Sequence, residues 1–365
     1  MASKVRVGVI GIGFGSVVQI PALQAHAETE VVAVCSARAE RAREAAERFH
    51  IPHAFTDYHD LINHPEVDLV SVATPVDQHY PMALAALEAG KHVLCEKPLA
   101  MNAAEASALV EAAEKAEVVH VVDHEFRFAP QRALAKELIQ EGYLGDLRFA
   151  VIRLLFPLER SKWGWLVDAS RGGGLLGAMG SHYIDSLRYW FGEVEAVSAF
   201  TAVNSPEKLD PETGQTRVSD ADDTFAVQLR MCNGGWAAMA ASLAIHVGSG
   251  VSIELYGSEG SLLLPQERNV NPRVDGKLLG CRKGDTEFRE LELPERLRPY
   301  AKVSGDLRIP SFMVLVDRLV EAIRGGKPVI PTFVDGLRVQ EVIDAVRQSS
   351  AQGTQVQLAL SGRSA

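Results

Sequence analysis

Cysteine is scarce. The 365-residue chain has 4, Cys35, Cys95, Cys232 and Cys281, far apart and without CxxC spacing, so neither a cysteine zinc site nor a disulfide framework is expected. A reducing, cytoplasmic setting fits that usage. Positive charge is also in deficit: 37 Lys and Arg stand against 47 Asp and Glu, a formal net charge of −10. Nucleic-acid binding is not expected, because phosphate neutralisation needs a basic footprint, and any anionic ligand must be met by a local positive site. Internal repeats and low-complexity tracts are missing as well.

Long apolar runs are few, and both have another explanation. The N-terminal run from Val7, preceded by Lys4 and Arg6 and ending near Ala25-His26-Ala27, has the outline of an export signal. It contains Gly8, Gly11, Gly13, Gly15 and Pro21, which a nucleotide-binding turn explains and a signal does not. Met231 to Ile253 is uncharged, but Asn233-Gly234-Gly235 makes it two strands and a turn, so no membrane span is expected. The histidines His26, His50, His53, His59 and His64 show no metal-ligand spacing, and no metal is expected.

With 47% hydrophobic and 23% charged residues, the chain has a globular composition, and its length exceeds what one core usually holds. The first third alternates strand and helix. Strands fall at Val5–Ile10, Val31–Cys35, Ala54–Phe55, Val67–Ala73, His92–Cys95 and Val118–Val122, which predicts a doubly wound parallel sheet. After His124, strands follow one another at 147–155, 194–203, 224–231, 235–244, 251–256 and 260–264, which predicts a largely antiparallel α+β domain. Helices are expected at 130–141, 175–190, 309–324 and 335–352, and a polar surface excursion at 205–222. The domains are placed at 1–124 and 125–365.

Gly11-Ile12-Gly13-Phe14-Gly15-Ser16 ends the first strand and opens a helix, the context in which a glycine-rich turn binds a dinucleotide pyrophosphate. Ser16 stands where the third glycine of the fingerprint belongs. The second strand ends in Cys35-Ser36-Ala37-Arg38, without the acid that holds the ribose of NAD. Ser36 and Arg38 suit a 2′-phosphate instead, so NADP is preferred and NAD remains possible. Thr74-Pro75 and Glu96-Lys97-Pro98 end two further strands at the same edge, where open α/β sheets bind ligands.

Glu96-Lys97-Pro98, the glycine loop, Glu125-Phe126-Arg127-Phe128-Ala129-Pro130, and Gly172-Gly173-Gly174 followed by Gly180-Ser181-His182-Tyr183-Ile184-Asp185 together resemble the Gfo/Idh/MocA family, in order and over nearly the whole chain. The resemblance implies a Rossmann domain (residues 1–124) joined to an oligomer-forming antiparallel-sheet domain, in a homodimer or homotetramer. It implies NAD(P)-dependent hydride transfer to or from a carbon of a sugar, cyclitol or related carbonyl compound. It makes Lys97 the lysine that contacts the nicotinamide ribose and substrate hydroxyl, and His182 the active-site histidine; His79 takes a position often polar against the cofactor. Alcohol oxidation needs a proton acceptor beside the departing hydride, and both side chains suit that work. Arg127, Trp165 and Asp185 are candidate substrate contacts, with Trp163 and His124 as further candidates. One departure stands out: Ala178 occupies the position, one helical turn before His182, where the family commonly has an aspartate. Asp185, three residues on, is the candidate substitute. A lyase or glycosidase that oxidises its substrate transiently, and a cofactor sensor without chemistry, are the alternative readings.

Overall fold

The computed structural model describes residues 3–157, 162–266 and 275–359. The chain forms two units. The first runs to Glu125 and takes in Tyr300–Gln340; the second comprises Phe126–Pro299 and the stretch after Glu341. The first boundary falls within a residue of the expected one. Tyr300–Gln340 groups with the first unit, although it lies in the stretch after residue 124.

In the first unit, β1 (Val5–Ile10), β2 (Thr29–Cys35), β3 (His53–Phe55), β4 (Leu69–Val72), β5 (His92–Cys95) and β6 (His120–Val122) form one sheet in the order β3-β2-β1-β4-β5-β6. Every pairing is parallel. Such strands are covered on both faces and therefore read as unbroken apolar runs; all of Leu69–Val72 is buried. The order reverses between β1 and β4, the crevice where ligands bind in this class of sheet. Register then aligns the strand ends: Ile10 pairs with Cys35 and Val72, Val72 with Cys95, and Cys95 with Val122. Gly11, Ser36, Ala73, Glu96 and Asp123, each the next residue along its strand, consequently share one edge.

Helices α1 (Ile20–Ala25), α2 (Ala39–Phe49), α3 (Tyr58–Ile62), α4 (His79–Glu88) and α5 (Ala103–Ala116) connect these strands. Helix α2 has Glu40 in its first turn and Arg48 in its last, which matches the helix dipole. Asn102 caps α5 by accepting from the Glu105 amide at 2.9 Å, and Glu105 accepts in return from the Met101 amide at 3.1 Å, so the chain turns directly from the β5 loop into helix.

The second unit contains α6 (Pro130–Gln140), β7 (Leu147–Leu155), α7 (Ser181–Phe191) and the strands β8 (Val194–Ala202), β9 (Glu207–Leu209), β10 (Thr216–Val218), β11 (Thr224–Met231), β12 (Trp236–Ser242), β13 (Gly250–Gly257), β14 (Gly260–Gln266), β15 (Leu278–Arg282) and β16 (Arg289–Leu291). The remaining elements are α8 (Ile309–Ile323) in the first unit, α9 (Phe333–Gln352), which begins in the first unit and ends in the second, and β17 (Val356–Gln357). A nine-stranded sheet runs β16-β15-β14-β13-β7-β12-β11-β8-β17. Only the β7–β12 pair is parallel. One face buries Ala150, Ile152, Leu154, Met239, Ile253 and Leu255, while Phe149, Phe200 and Trp236 stay exposed.

Residues 205–222, expected to be a polar surface excursion, carry regular structure and buried side chains. β9 and β10 form an antiparallel hairpin within them, and Lys208, Asp210 and Ser219 are buried. The short strands had no apolar alternation to reveal them. The uncharged stretch from Met231 forms strands and a turn as expected, and among the described residues no helix is long and apolar enough to cross a membrane.

Candidate active site

The glycine loop follows β1. Gly11 sits at φ +97°, and a Cβ there would come within 2.5 Å of the Ala73 carbonyl oxygen, so a side chain is excluded by both strain and space. At Gly13 a Cβ would meet nothing within 4 Å; the backbone there is open to an approaching group. Gly15 is buried, and a Cβ would press on Val9 Cγ1 at 3.2 Å. Close packing of the turn on the sheet is therefore the work of Gly15, not of Ser16 as the fingerprint spacing implied. Ser16 Oγ donates back to the Gly13 carbonyl at 3.2 Å. Gly15–Gln19 forms a π-type turn before α1, a form frequent at functional sites. An open backbone at Gly13, with further glycines at Gly11 and Gly15, fits a dinucleotide pyrophosphate.

The turn aims Gln19 inward. Its amide donates to Glu96 Oε1 at 2.9 Å and its carbonyl accepts from Ser71 Oγ at 2.7 Å. Glu96 is thus fixed from the glycine turn and from β4, and its own amide donates to the Val72 carbonyl at 2.9 Å. Lys97, half-buried, follows it at the mouth of the sheet. His79 is buried, with Nδ1 2.8 Å from the Pro98 carbonyl and Nε2 2.9 Å from the Thr74 carbonyl. Its ring therefore links the loop after β4 to the loop after β5. Burial pushes its pKa down, against the two carbonyl contacts. Ser36 and Arg38 lie after β2, where the Arg38 amide donates to Ser36 Oγ at 3.4 Å and the Arg38 side chain is exposed.

Asp123 was not singled out from sequence, and Glu125 appeared there only as the first residue of a family motif, without a role of its own. Both are buried. Burial raises the Asp123 carboxyl well above its ordinary range, helped by repulsion from Glu96 and Glu125. Glu125 is pushed up to about 8 by burial and by Glu96, against Lys97 and Arg308. Arg308, from the returning segment, has its guanidinium 4.7 Å from the centre of the Phe14 ring. Asp123 was legible in principle, since it directly follows β6 on the ligand-binding edge. Arg308, 183 positions beyond Glu125 (308 − 125), gave no signal.

In the second unit, Leu176–Gly180 is a second π-type turn, running into α7. Its small residues let it lie against β11, where a Cβ on Gly180 would be 3.3 Å from the Phe225 ring. His182 is buried and stacked on Phe126, with ring centres 3.9 Å apart and planes at 10°. Its carbonyl accepts from Ser186 Oγ at 2.8 Å, and Arg132 donates to the same hydroxyl at 2.9 Å. Asp185 is held by Arg127 through two bonds, at 2.8 and 2.5 Å. The two candidate substrate contacts are thus turned on each other, which their separation in sequence concealed. His124 is buried. Trp163 lies under the Arg217 guanidinium at 3.7 Å, and Trp165 is half-buried.

A doubly wound sheet with a glycine cradle at its switch point, a lysine at the next strand ends and a buried histidine on a following helix define a dinucleotide-dependent oxidoreductase. The comparisons agree. Residues 5–124 match the family model described as oxidoreductase family, NAD-binding Rossmann fold, and residues 136–358 match its C-terminal alpha/beta domain. The chain belongs to the Gfo/Idh/MocA family and is an NAD(P)-dependent oxidoreductase of that type. It is similar to levoglucosan dehydrogenase of Pseudarthrobacter phenanthrenivorans, 30% identical over 344 residues covering 87% of each chain. It is also similar to an NADP(+) scyllo-inositol 2-dehydrogenase of Bacillus subtilis, 25% identical over 97% of this chain and 96% of that one. A solved levoglucosan dehydrogenase in complex with NADH and L-sorbose superposes with a TM-score of 0.87 at 28% identity, covering 98% of this chain and 100% of that one.

Proposed function

We propose that the protein transfers a hydride between NADP(H) and a carbon of a sugar, cyclitol or related polyhydroxylated compound, with Lys97 and His182 in proton transfer. The bound nicotinamide supplies the hydride acceptor or donor. The carrying observation is the row of strand-end residues: Gly11 and Gly13 form the cradle, and Lys97 follows Glu96, which Gln19 anchors to the same turn. Lys97 holds a substrate hydroxyl and passes its proton, with Glu96, Asp123 and Glu125 as the carboxyl groups in its field. His182, fixed by its stack on Phe126, is the second proton-transfer group. The named substrates of relatives, levoglucosan and scyllo-inositol, support a polyol substrate.

The preference for NADP rests on Ser36 and Arg38 after a strand end that has no acid. Relatives do not decide it, since one is solved with NADH and another is named for NADP(+). Four free thiols fit a reducing, cytoplasmic setting.

An absorbance assay at the nicotinamide wavelength, over a panel of sugars and cyclitols with each cofactor, tests the reading. Turnover with at least one polyol is expected. Lys97→Ala should lower kcat by about 10²-fold or more while cofactor still binds; unchanged turnover removes Lys97 from the chemistry. Arg38→Ala should lower kcat/KM for NADP by about tenfold, the value of one charge-assisted contact, and leave NAD unaffected. A wild-type preference for NAD defeats the cofactor argument.

A further inference from the structure

His53 and His64 have no spacing that pairs them in sequence, yet the fold brings them together. β3 is one of the two edge strands of the first sheet, and the turn after α3 leads into β4. His53 Nε2 lies 2.8 Å from Glu66 Oε2. The His53 and His64 rings are 4.3 Å apart between centres, and one donor atom from each of His53, His64 and Glu66 falls within 4.8 Å of the others. Phe55 packs near both rings, at 6.3 and 5.7 Å between centres.

We propose that His53, His64 and Glu66 form a binding site for a divalent first-row transition metal, zinc above the others, that clamps edge strand β3 to the turn leading into β4. Two imidazoles and one carboxylate are donors that zinc takes, with water in the fourth position. Magnesium and calcium, which take oxygen donors, are excluded by the same set. Tetrahedral zinc, with bonds of about 2.1 Å, holds its donors roughly 3.4 Å apart. Donors as far apart as 4.8 Å must close by about 1.4 Å, and the His53–Glu66 pair at 2.8 Å must open by about 0.6 Å, rotamer adjustments open to side chains that are partly exposed.

The charge is suitable. Glu66 brings the carboxylate, and its Oε2 already lies 2.8 Å from His53 Nε2. Arg6 does not close the site, because Asp68 binds its guanidinium at 2.8 Å. Zinc replaces the proton between His53 and Glu66. If His64 binds through Nδ1, water at this exposed turn takes over the 3.3 Å bond from the Glu66 amide. The cluster stands at the amino ends of β3 and β4, whereas the cofactor cradle follows the carboxyl ends. The metal accordingly acts on the stability of the sheet edge, not on hydride transfer.

The test is isothermal titration of the untagged, chelator-treated full chain with zinc chloride, with magnesium chloride as the control, and thermal unfolding at the same metal concentrations. One zinc per chain and a Tm that rises with free zinc are expected. His53→Gln and His64→Gln should each weaken binding at least about tenfold while leaving metal-free Tm and turnover unchanged. Zinc binding that survives both substitutions belongs elsewhere, for example at exposed Cys232, and overturns the proposal. Absence of both heat and Tm shift up to about 1 mM zinc overturns it too.

Discussion

Arg127 grips both carboxylate oxygens of Asp185, with 3% and 1% of the two side chains exposed. Asp185 therefore holds an arginine where the sequence suggested a stand-in for the aspartate missing at position 178. The ion pair also joins the start of the second unit, just before α6, to the helix that bears His182. Helical spacing put Asp185 near His182; only the folded chain chose its partner.

Breaking that pair should be costly in stability. Asp185→Asn leaves a buried guanidinium short of its counter-charge, and a loss of about 3–5 kcal/mol is expected. Removing both partners, as Arg127→Met with Asp185→Leu, should cost less than the sum of the single changes, because neither leaves a buried charge unpaired. Denaturant unfolding of the four proteins measures the difference; strict additivity would contradict the pairing.

Ala178 offers a gain-of-function test. Ala178→Asp restores a carboxylate one turn before His182, on the same helix face. A neighbouring carboxylate favours the imidazolium, so the pH limb of kcat assigned to His182 should move upward, with a change in rate. An unaltered pH profile would mean that proton transfer does not run through this histidine.

Glu125 should make stability fall with rising pH. Its folded pKa is raised, from an ordinary value of 4.5 to about 8, first by burial and then by Glu96. Between those limits the folded protein binds more protons than the unfolded chain, so unfolding free energy decreases as pH rises through the window. One such group contributes at most about 1.4 kcal/mol per pH unit. Glu125→Gln should flatten the decline between about pH 4.5 and 8. A variant that keeps the wild-type slope would show that Glu125 ionises normally in the folded protein.

The open face of the nine-stranded sheet is the surface expected for self-association. Phe200 is 62% exposed there, with the cross-strand neighbours Phe149 and Trp236 at 43% and 42%, and large exposed apolar side chains on one face mark interfaces. Phe200→Lys should shift the mass measured by light scattering from dimer or tetramer towards monomer. A monomeric wild-type protein would remove this assignment.

The Rossmann half was legible because local rules decide it. A glycine-bounded apolar run marks β1 and an apolar run stopped by Pro98 marks β5, and their limits at Val5–Ile10 and His92–Cys95 agree with the reading from sequence. The strand-end positions of Glu96 and of the glycine loop were legible because each directly follows a strand, and in a parallel sheet every such residue reaches the same edge. The uncertainty over the third glycine was resolved only by packing: Gly15 meets Val9, and Ser16 does not have to.

Sequence alone determined the alternation of strand and helix and the strand ends that share one edge, because these depend on residue type and spacing within a few turns of chain; the aspartate that relatives commonly carry at position 178 came from the family resemblance. Tertiary structure decided the return of Tyr300–Gln340 to the first unit, the Arg127–Asp185 pair, the buried Asp123 and Glu125, and the meeting of His53 with His64. Each of these depends on distance through space between residues whose separation in sequence carries no energy. Burial and pairing, which set their charge states, arise only when the layers pack.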